Sequence, residues 1–214
     1  MSLERAFETF RSHNEFLDLA HFTQFSSDIA NGLRFVHSNG YFHGDLKPAN
    51  VLLHNYGMAK VADFGLSQAP ITRGTAVNGH RGTPRYMAPE QYTDQKLDLE
   101  AMQRCDVWSY GVVLWKMMTC REPLAHVEDH RLALVIGTND DKSHPSLPSE
   151  CSAEALVNLL LSCWSSKSLY RPTFYKITTE ILNDIKRQNE LDFKMPELWM
   201  EECEKWAEAA SIKH

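Results

Sequence analysis

The chain has 214 residues, 43% of them hydrophobic and 10% aromatic, so it can bury one core and predicts one domain with room for an appendage. A net charge of −6 and scattered basic residues argue against a surface for nucleic acid. The start of the chain lacks the apolar segment of a secretion signal, and no apolar run has the length of a membrane span. We therefore expect a cytoplasmic protein.

The cysteines support a reducing setting. They are odd in number, show no C-x-x-C spacing and fall mostly in apolar helical patterns: Cys105, Cys120, Cys151, Cys163 and Cys203. This usage is typical of reduced thiols in a core.

In the first third of the chain, apolar residues recur at spacings of three and four. This pattern predicts a helix from about Leu19 to Ser38, which the pair Asn39-Gly40 ends. Short apolar pieces then predict small strands at 41–42, 51–53 and 59–61, with a turn at 55–57 before the last.

Further along, residues 66–85 are rich in Gly, Thr, Pro and Arg without periodicity, which predicts a long functional loop. Residues 104–119 are apolar almost all round, which indicates a helix in the centre of the domain. Helices are also predicted at 153–163 and 173–187, after a Ser/Pro-rich linker at 143–149. The predicted fold class is mainly α, with short strands (α+β).

The tail carries one more helical pattern. Trp199, Cys203, Trp206 and Ala210 share a face at spacings of three and four. Such a stripe favours docking onto the chain's own surface over a dedicated partner site.

Two motifs hold the residues that suggest chemistry: residues 43–50, His-Gly-Asp-Leu-Lys-Pro-Ala-Asn, and the triplet Asp63-Phe64-Gly65. Transfer of a phosphoryl group requires a metal that neutralises charge, a carboxylate facing the acceptor hydroxyl, and a cation on the phosphate. Asp45 offers the carboxylate and Lys47 the cation. Asn50 and Asp63 offer hard oxygen ligands, which suit Mg²⁺.

Together with later motifs, these residues resemble the C-terminal lobe of a eukaryotic protein kinase over residues 1–187, with 188–214 as a helical tail. The resemblance implies a helical core with short strands around the catalytic loop. It also implies that Asp45 is the catalytic base, that Lys47 is catalytic and that Asn50 and Asp63 bind metal. The remaining implied roles are nucleotide binding for Leu52, an activation segment containing Phe64, Gly65, Thr72, Thr75 and Thr83, and structural roles for His43, Glu90, Asp106 and Arg171.

The later motifs make the resemblance specific. Met87-Ala88-Pro89-Glu90 resembles the end of the activation segment, and 106–111 resembles the start of the central helix, whose Asp106 caps the catalytic loop. Residues 163–164 and 171–174 resemble the late helices, where Arg171 pairs with Glu90. A lone Asp-Phe-Gly is equally a turn tripeptide. Turn-forming composition does not explain five separate motifs that occur in the family's order and spacing.

The acceptor hydroxyl is suggested by two regions. Lys47 and the segment 82–86 resemble serine/threonine kinases, in which the hydroxyl of Thr83 bridges the catalytic Asp and Lys. Residues 108–115 and the late helices resemble the tyrosine-kinase-like group. The resemblance thus implies phosphorylation of serine and threonine in a protein substrate, with ATP and Mg²⁺. Dual or tyrosine specificity stays open.

Gly44 departs from the family pattern, because most members have Arg there. That Arg pairs with a phosphorylated residue of the activation loop and orders it. We therefore expect phosphorylation of Ser67, Thr72 or Thr75 not to act as the usual switch.

The first part of the family's pattern is also missing from these residues. Lys47 is the first lysine, and no Gly-x-Gly-x-x-Gly occurs. Five strands and a helix need roughly 65 residues, whereas 44 precede Asp45 and 1–14 resemble the short helix beyond the kinase hinge. We expect weak ATP binding and negligible phosphate transfer without a nucleotide lobe.

Two other functions remain open. One is a catalytically inactive scaffold or decoy that binds a full-length kinase or a scaffold partner. The other is a metal-dependent phosphohydrolase that uses the same acidic pocket to activate water.

Overall fold

The computed structural model describes residues 1–13, 17, 19–54, 57–65, 77–78, 82–93, 96–140, 143–147 and 154–185. In these ranges the helices are α1 (Leu3–His13), α2 (Leu19–Ser38), α3 (Leu99–Thr119), α4 (Leu132–Gly137), α5 (Glu154–Cys163) and α6 (Phe174–Lys176). The strands are β1 (Val51–His54), β2 (Met58–Val61), β3 (Val77–Asn78) and β4 (Lys96–Leu97). A π-helical segment, Ile177–Ile181, and helical residues 182–185 extend α6. The mainly helical α+β fold class is confirmed.

Helix α3 is the centre of the core. All of its residues from Cys105 to Thr119 are buried, as the apolar pattern predicted. It begins five residues before the predicted start, because the Asp98 carboxylate accepts a hydrogen bond from the backbone N–H of Ala101 and caps the first turn. Helix α5 packs closely across α3 at Gly111, where a Cβ atom would be 2.8 Å from Cys163 Cβ.

The hairpin of β1 and β2 lies between the core and the surface. Val51 pairs with Val61 and His54 with Met58 in an antiparallel register. Val51 is buried, whereas Leu52 and Met58 are exposed on the other face, because successive strand residues point to opposite sides. The Asp28 carboxylate of α2 accepts a hydrogen bond from Ala59 N at 2.9 Å and ties the hairpin to that helix.

The predicted strand at 41–42 is wrong. Tyr41 donates its N–H to Val36 O at 3.2 Å, and its carbonyl oxygen accepts from Gln103 Nε2 at 2.9 Å. The backbone here finds its partners on α2 and α3, and an extended segment with such partners needs no neighbouring strand.

The prediction of one long loop at 66–85 is also incomplete. Within it, β3 pairs with β4 through Val77↔Leu97 and Asn78↔Lys96. The loop then ends in a 3-10 turn, Pro84–Tyr86. A two-residue strand is too short to show a period, and its partner lies about twenty residues away, so the sequence pattern could not reveal it.

The other predicted elements fit the described residues. Helix α2 has the predicted bounds, and α5 and α6 lie within the two predicted late helices. Helix α4 was not predicted. Cys105, Cys120 and Cys163 are buried thiols that form no disulfide, as expected. None of the described helices combines the length and apolar character that crossing a membrane requires. The tail stripe at 199–210 lies outside the described residues.

A small second hydrophobic cluster lies apart from the main core. It joins the turn at 123–127 to α4 and consists of Leu124, Val127, Leu132 and Ile136, with Tyr92 and Val135 packed against them. The cluster borders the segment that carries Thr83.

Candidate active site

The Thr83 hydroxyl lies between two charged side chains of the loop that follows α2. It donates to Asp45 Oδ1 at 2.8 Å and accepts from Lys47 Nζ at 2.7 Å. The backbone N–H of Thr83 also donates to Asp45 Oδ1, at 2.7 Å. Asp45 and Lys47 form an ion pair with 2.8 Å between Oδ2 and Nζ. These contacts fix the direction in which the carboxylate points.

Asn50 belongs to the same group. It ends the 3-10 turn Pro48–Asn50, and its amide nitrogen donates to Asp45 O at 2.8 Å and to Asp45 Oδ2 at 3.3 Å. Because both bonds use the nitrogen, the amide oxygen of Asn50 is directed away from Asp45 and can serve as a ligand.

The buried His43 ring connects the two motifs. Its Nδ1 accepts from the backbone N–H of Asp45 at 3.2 Å, and its Nε2 donates to Ala62 O at 3.0 Å. The ring also lies 5.2 Å from the Phe64 ring, between centroids. His43 thus fixes the spacing between the loop with Asp45 and the residue before Asp63.

Asp63 has an exposed carboxylate and an unusual backbone. Its φ of 62° lies in the left-handed region, which a non-glycine residue adopts at a cost. The carboxylate accepts from Gly65 N at 3.3 Å. This local bond accompanies a conformation that presents the side chain at the surface.

Asp106 of α3 holds the backbone immediately before Asp45. Its carboxylate accepts from His43 N at 2.7 Å, from Gly44 N at 2.9 Å and from His37 Nε2 at 2.8 Å. Gly44 has φ of +81°, a conformation that glycine adopts without the penalty of a Cβ atom. The centre of the core therefore fixes the start of the candidate catalytic loop.

Glu90 and Arg171 form a bidentate ion pair. Arg171 Nη1 lies 2.5 Å from Glu90 Oε1 and Nη2 lies 2.9 Å from Oε2. The Arg171 side chain is fully buried, and Cys105 Sγ also donates to Glu90 Oε1 at 3.3 Å. The pair joins the end of the segment with Thr83 to the residues immediately before α6.

A second charged group lies near this segment. The buried ammonium of Lys116 on α3 contacts Glu4 at 2.8 Å and Glu122 at 2.8 Å. Burial, and then the carboxylates of Glu122 and Glu4, raise the pKa of the Tyr86 hydroxyl far above its ordinary value.

The structure brings Asp45, Lys47, Asn50 and Thr83 into one hydrogen-bonded group, with Asp63 joined through His43 and Ala62. Leu52 is 46% exposed and Phe64 is 45% exposed. Ser67, Thr72 and Thr75 lie outside the described residues. Among the described residues, no group of three or more His, Cys, Asp or Glu is placed to hold a metal ion.

Sequence reasoning missed two contributors to this region. His37 was not singled out, because a single histidine in an amphipathic helix carries no distinguishing pattern. Arg85 was quoted within the segment 82–86 without a role. Its guanidinium holds a distant turn through four hydrogen bonds. The one sequence feature that could have drawn attention to Arg85 is a basic residue close to Thr83. That feature by itself indicates only a charged loop.

The order of motifs, the helical core and the group around Asp45 define a protein kinase fold. A family model described as protein tyrosine and serine/threonine kinase matches residues 5–181. The chain belongs to the protein kinase family.

Individual relatives agree with that assignment. The chain is 35% identical over 162 residues to a "Probable LIM domain-containing serine/threonine-protein kinase" of Dictyostelium discoideum, covering 74% of this chain and 23% of that protein. It is 34% identical over 161 residues to serine/threonine-protein kinase STY17 of Arabidopsis thaliana, covering 75% and 27%. It is 30% identical over 181 residues to mitogen-activated protein kinase kinase kinase 12 of Rattus norvegicus, covering 83% and 20%. The chain thus spans about a quarter of the length of these relatives.

Proposed function

We propose that this chain is the C-terminal lobe of a protein kinase domain that, completed by a nucleotide-binding lobe, transfers phosphate from ATP to serine and threonine in protein substrates. The observation that carries the proposal is the Thr83 hydroxyl held between the Asp45 carboxylate and the Lys47 ammonium. An acceptor hydroxyl needs a carboxylate of fixed direction and a nearby cation, and this contact supplies both.

In the proposed reaction, the acceptor oxygen forms a bond to the terminal phosphorus of ATP while the bond from that phosphorus to ADP breaks. The proton of the acceptor passes to Asp45. Asp45 Oδ1 already accepts two hydrogen bonds from Thr83. Asp45 Oδ2 accepts from Lys47 at 2.8 Å and makes a longer, weaker contact with Asn50 at 3.3 Å. The long Asn50 contact is therefore the one that an incoming hydroxyl replaces. Lys47 faces the transferred phosphate.

The oxygen donors fit Mg²⁺. The Asn50 amide oxygen and the exposed Asp63 carboxylate are hard ligands, and proteins commonly hold Mg²⁺ by one or two such groups together with substrate phosphates. Mg²⁺, when bound, neutralises charge on the phosphates. Asn50 keeps its oxygen in place through its shorter bond to Asp45 O at 2.8 Å, which the acceptor does not replace. We propose that the exposed apolar side chain of Leu52 contacts the nucleotide base.

Acceptor specificity follows from Thr83, which supports serine and threonine. The relatives leave a broader range open: kinase HT1 of Arabidopsis thaliana, 35% identical over 150 residues, is named a serine/threonine/tyrosine-protein kinase. Acceptor peptides that differ only in Ser, Thr or Tyr separate these cases.

Gly44 supports independence from the usual activation switch. Glycine has no side chain that could receive a phosphate on Ser67, Thr72 or Thr75, and Asp106 already holds its N–H. Phosphorylation of the segment is then expected to change the transfer rate little. A large gain that disappears in Thr75→Ala would contradict this view.

The experiment compares two forms: the 214 residues and the longest product that the gene encodes. Each is incubated with Mg²⁺ and radiolabelled ATP and with Ser, Thr and Tyr peptides. We expect transfer to Ser and Thr by the longer form, and loss of about 10²-fold or more in Asp45→Asn. We expect no rise of melting temperature with Mg²⁺ and ATP for the 214 residues. Transfer that is unaffected by Asp45→Asn would refute the proposal.

A binding role without catalysis is the second candidate. Leu52 and Met58 on the β1–β2 hairpin and Phe64 beside Asp63 are 40–46% exposed, and exposed apolar surface suits a protein partner. If the 214 residues inhibit transfer by the longer form, and Asp45→Asn inhibits equally, a decoy role for this chain is favoured. The same Asp45→Asn variant therefore separates the two functions.

The domain division is proposed as kinase lobe through residue 187 and a separate tail, 188–214. The family match ends at residue 181, which supports it. Limited proteolysis should leave a resistant fragment that ends near residue 187. We also propose a cytoplasmic location, which microscopy of the tagged chain tests.

A further inference from the structure

Arg85 holds a turn more than thirty-five residues further along the chain. Its Nη1 donates to Pro123 O at 3.0 Å and to Leu124 O at 2.6 Å. Its Nη2 donates to Val127 O at 3.1 Å and to Asp129 Oδ1 at 2.5 Å. One guanidinium therefore binds three carbonyl oxygens and one carboxylate.

These bonds use both terminal nitrogens of Arg85 fully. Each nitrogen carries two hydrogens, and each makes two of the bonds. Only 17% of the side chain is exposed. Arg85 is therefore not placed to bind an acidic residue of a peptide, because its guanidinium is fully engaged within the chain.

The turn that Arg85 grips has an unusual backbone. Leu124, whose carbonyl accepts one of the shortest of these bonds, has φ of 51° in the left-handed region. A second hydrogen bond also holds this segment: the Tyr92 hydroxyl donates to Pro84 O at 2.7 Å. Tyr92 and Leu124 both belong to the second hydrophobic cluster. Residues of the cluster thus contact both Pro84 and Arg85, the two residues that follow Thr83.

Thr83 lies two residues before Arg85. Thr83 caps the 3-10 turn Pro84–Tyr86, which contains Arg85, and only Pro84, with its fixed φ, separates the two residues. Displacement of Arg85 is therefore expected to move Thr83 as well. Thr83 has three contacts with Asp45 and Lys47. The position of Thr83 over the Asp45 carboxylate is therefore set both by its contacts with Asp45 and Lys47 and by its link to Arg85.

We propose that Arg85 is a positioning residue for the acceptor side of the site: by holding the 123–129 turn, it keeps the Thr83 hydroxyl between Asp45 and Lys47. The inference rests on the proposed function for its kinetic consequence. The hold on Thr83 itself does not depend on catalysis.

The first measurement uses amide hydrogen exchange in the 214-residue chain. Arg85→Ala should speed exchange of the Thr83 N–H, which bonds to Asp45, and of the 123–129 segment by about tenfold or more. Exchange in α3 should stay unchanged. Arg104→Ala is the matched control, because Arg104 is 15% exposed and also donates to a backbone carbonyl, that of Arg171 rather than one of the 123–129 turn. It should leave Thr83 exchange unaltered.

Arg85→Lys adds a conservative variant. It keeps the charge, but one ammonium has no fork that can bind the carbonyls and Asp129 together. Exchange of the Thr83 N–H in Arg85→Lys should therefore be about as fast as in Arg85→Ala. Protected Thr83 in Arg85→Ala, or equal acceleration in Arg85→Ala and Arg104→Ala, would overturn the proposal.

The second measurement is kinetic, in whichever form transfers phosphate. Arg85→Ala should raise KM for the acceptor peptide about tenfold and leave KM for ATP within about twofold. A uniform fall in kcat with unchanged KM for the peptide would contradict positioning. If wild type and Asp45→Asn both fail to transfer, the proposed function fails, while exchange at Thr83 still decides the role of Arg85.

Discussion

Gly82 lies against the carbonyl oxygen of Gly44: a Cβ atom at residue 82 would be 2.8 Å from that oxygen. Gly82 also has φ of +114°, a conformation open to glycine. The same Cβ would lie 3.6 Å from Asp45 Oδ1. The segment with Thr83 therefore approaches the catalytic loop at a distance that only glycine permits.

Gly82→Ala should lower the free energy of unfolding by more than the backbone cost alone. Gly40→Ala measures the cost of a positive φ without a steric clash, because Gly40 has φ of +79° and nothing lies within 4 Å of its Cβ position. We expect about 1–2 kcal/mol for Gly40→Ala and at least about 1 kcal/mol more for Gly82→Ala, which must displace backbone. Urea unfolding measures both. Equal losses would show that the Gly44 contact is unimportant.

Arg171→Met should be among the most destabilising single changes in the described residues. It leaves the Glu90 carboxylate without its partner in a largely buried place, which costs on the order of 3–5 kcal/mol. Glu100→Gln is the comparison, because Glu100 is 62% exposed in its pair with Arg104, and such a pair contributes about 0.5 kcal/mol or less. Denaturant unfolding of the two variants should differ by several kcal/mol. Similar midpoints would contradict the assigned importance of the buried pair.

Thr83→Val should reduce phosphate transfer strongly and stability slightly. The variant keeps the shape of the side chain but removes the hydroxyl that joins Asp45 and Lys47. We expect a loss of about 1 kcal/mol in stability and of roughly tenfold or more in kcat/KM for a Thr peptide. Thr83→Ser keeps the hydroxyl and should retain most activity. If Thr83→Ser fell as far as Thr83→Val, the hydroxyl would not be the cause.

Alkaline pH should weaken the fold. Burial raises the pKa of the Cys163 thiol from 9.0 to about 12, and burial raises that of the Tyr92 hydroxyl from 10.0 to about 12. Both groups hold their protons more tightly when folded. Their stabilising contribution is therefore complete below pH 9 and is lost as the pH rises toward 12.

Unfolding measured from pH 8 to 11 should show this decline, and Cys163→Ala should make it shallower. Alkylation gives a second readout, because thiolate is the reactive form. At pH 8 the native thiol should react at least about a hundredfold more slowly than the thiol in urea. Equal rates would mean that Cys163 is not shielded.

Local patterns predicted much of the architecture. Helix α2 begins and ends where the apolar stripe and Asn39-Gly40 placed it, and the centre of α3 was recognised from its continuous apolar run. The motifs at 43–50 and 63–65 were also found in the sequence. The strand predicted at 41–42 is wrong, because side and main chains of two helices, rather than a strand, satisfy Tyr41.

The kinase family, the helical class and the residue types of the candidate site could be predicted from the sequence, because periodicity and motif order are local properties of a chain. The contacts of His37 with Asp106 and of Arg85 with the turn near Leu124 became visible only in the folded chain. The same is true of the close approach of Gly82 to Gly44. These contacts join residues tens of positions apart. Their distances depend on how whole helices and turns pack, and no short stretch of sequence contains that information.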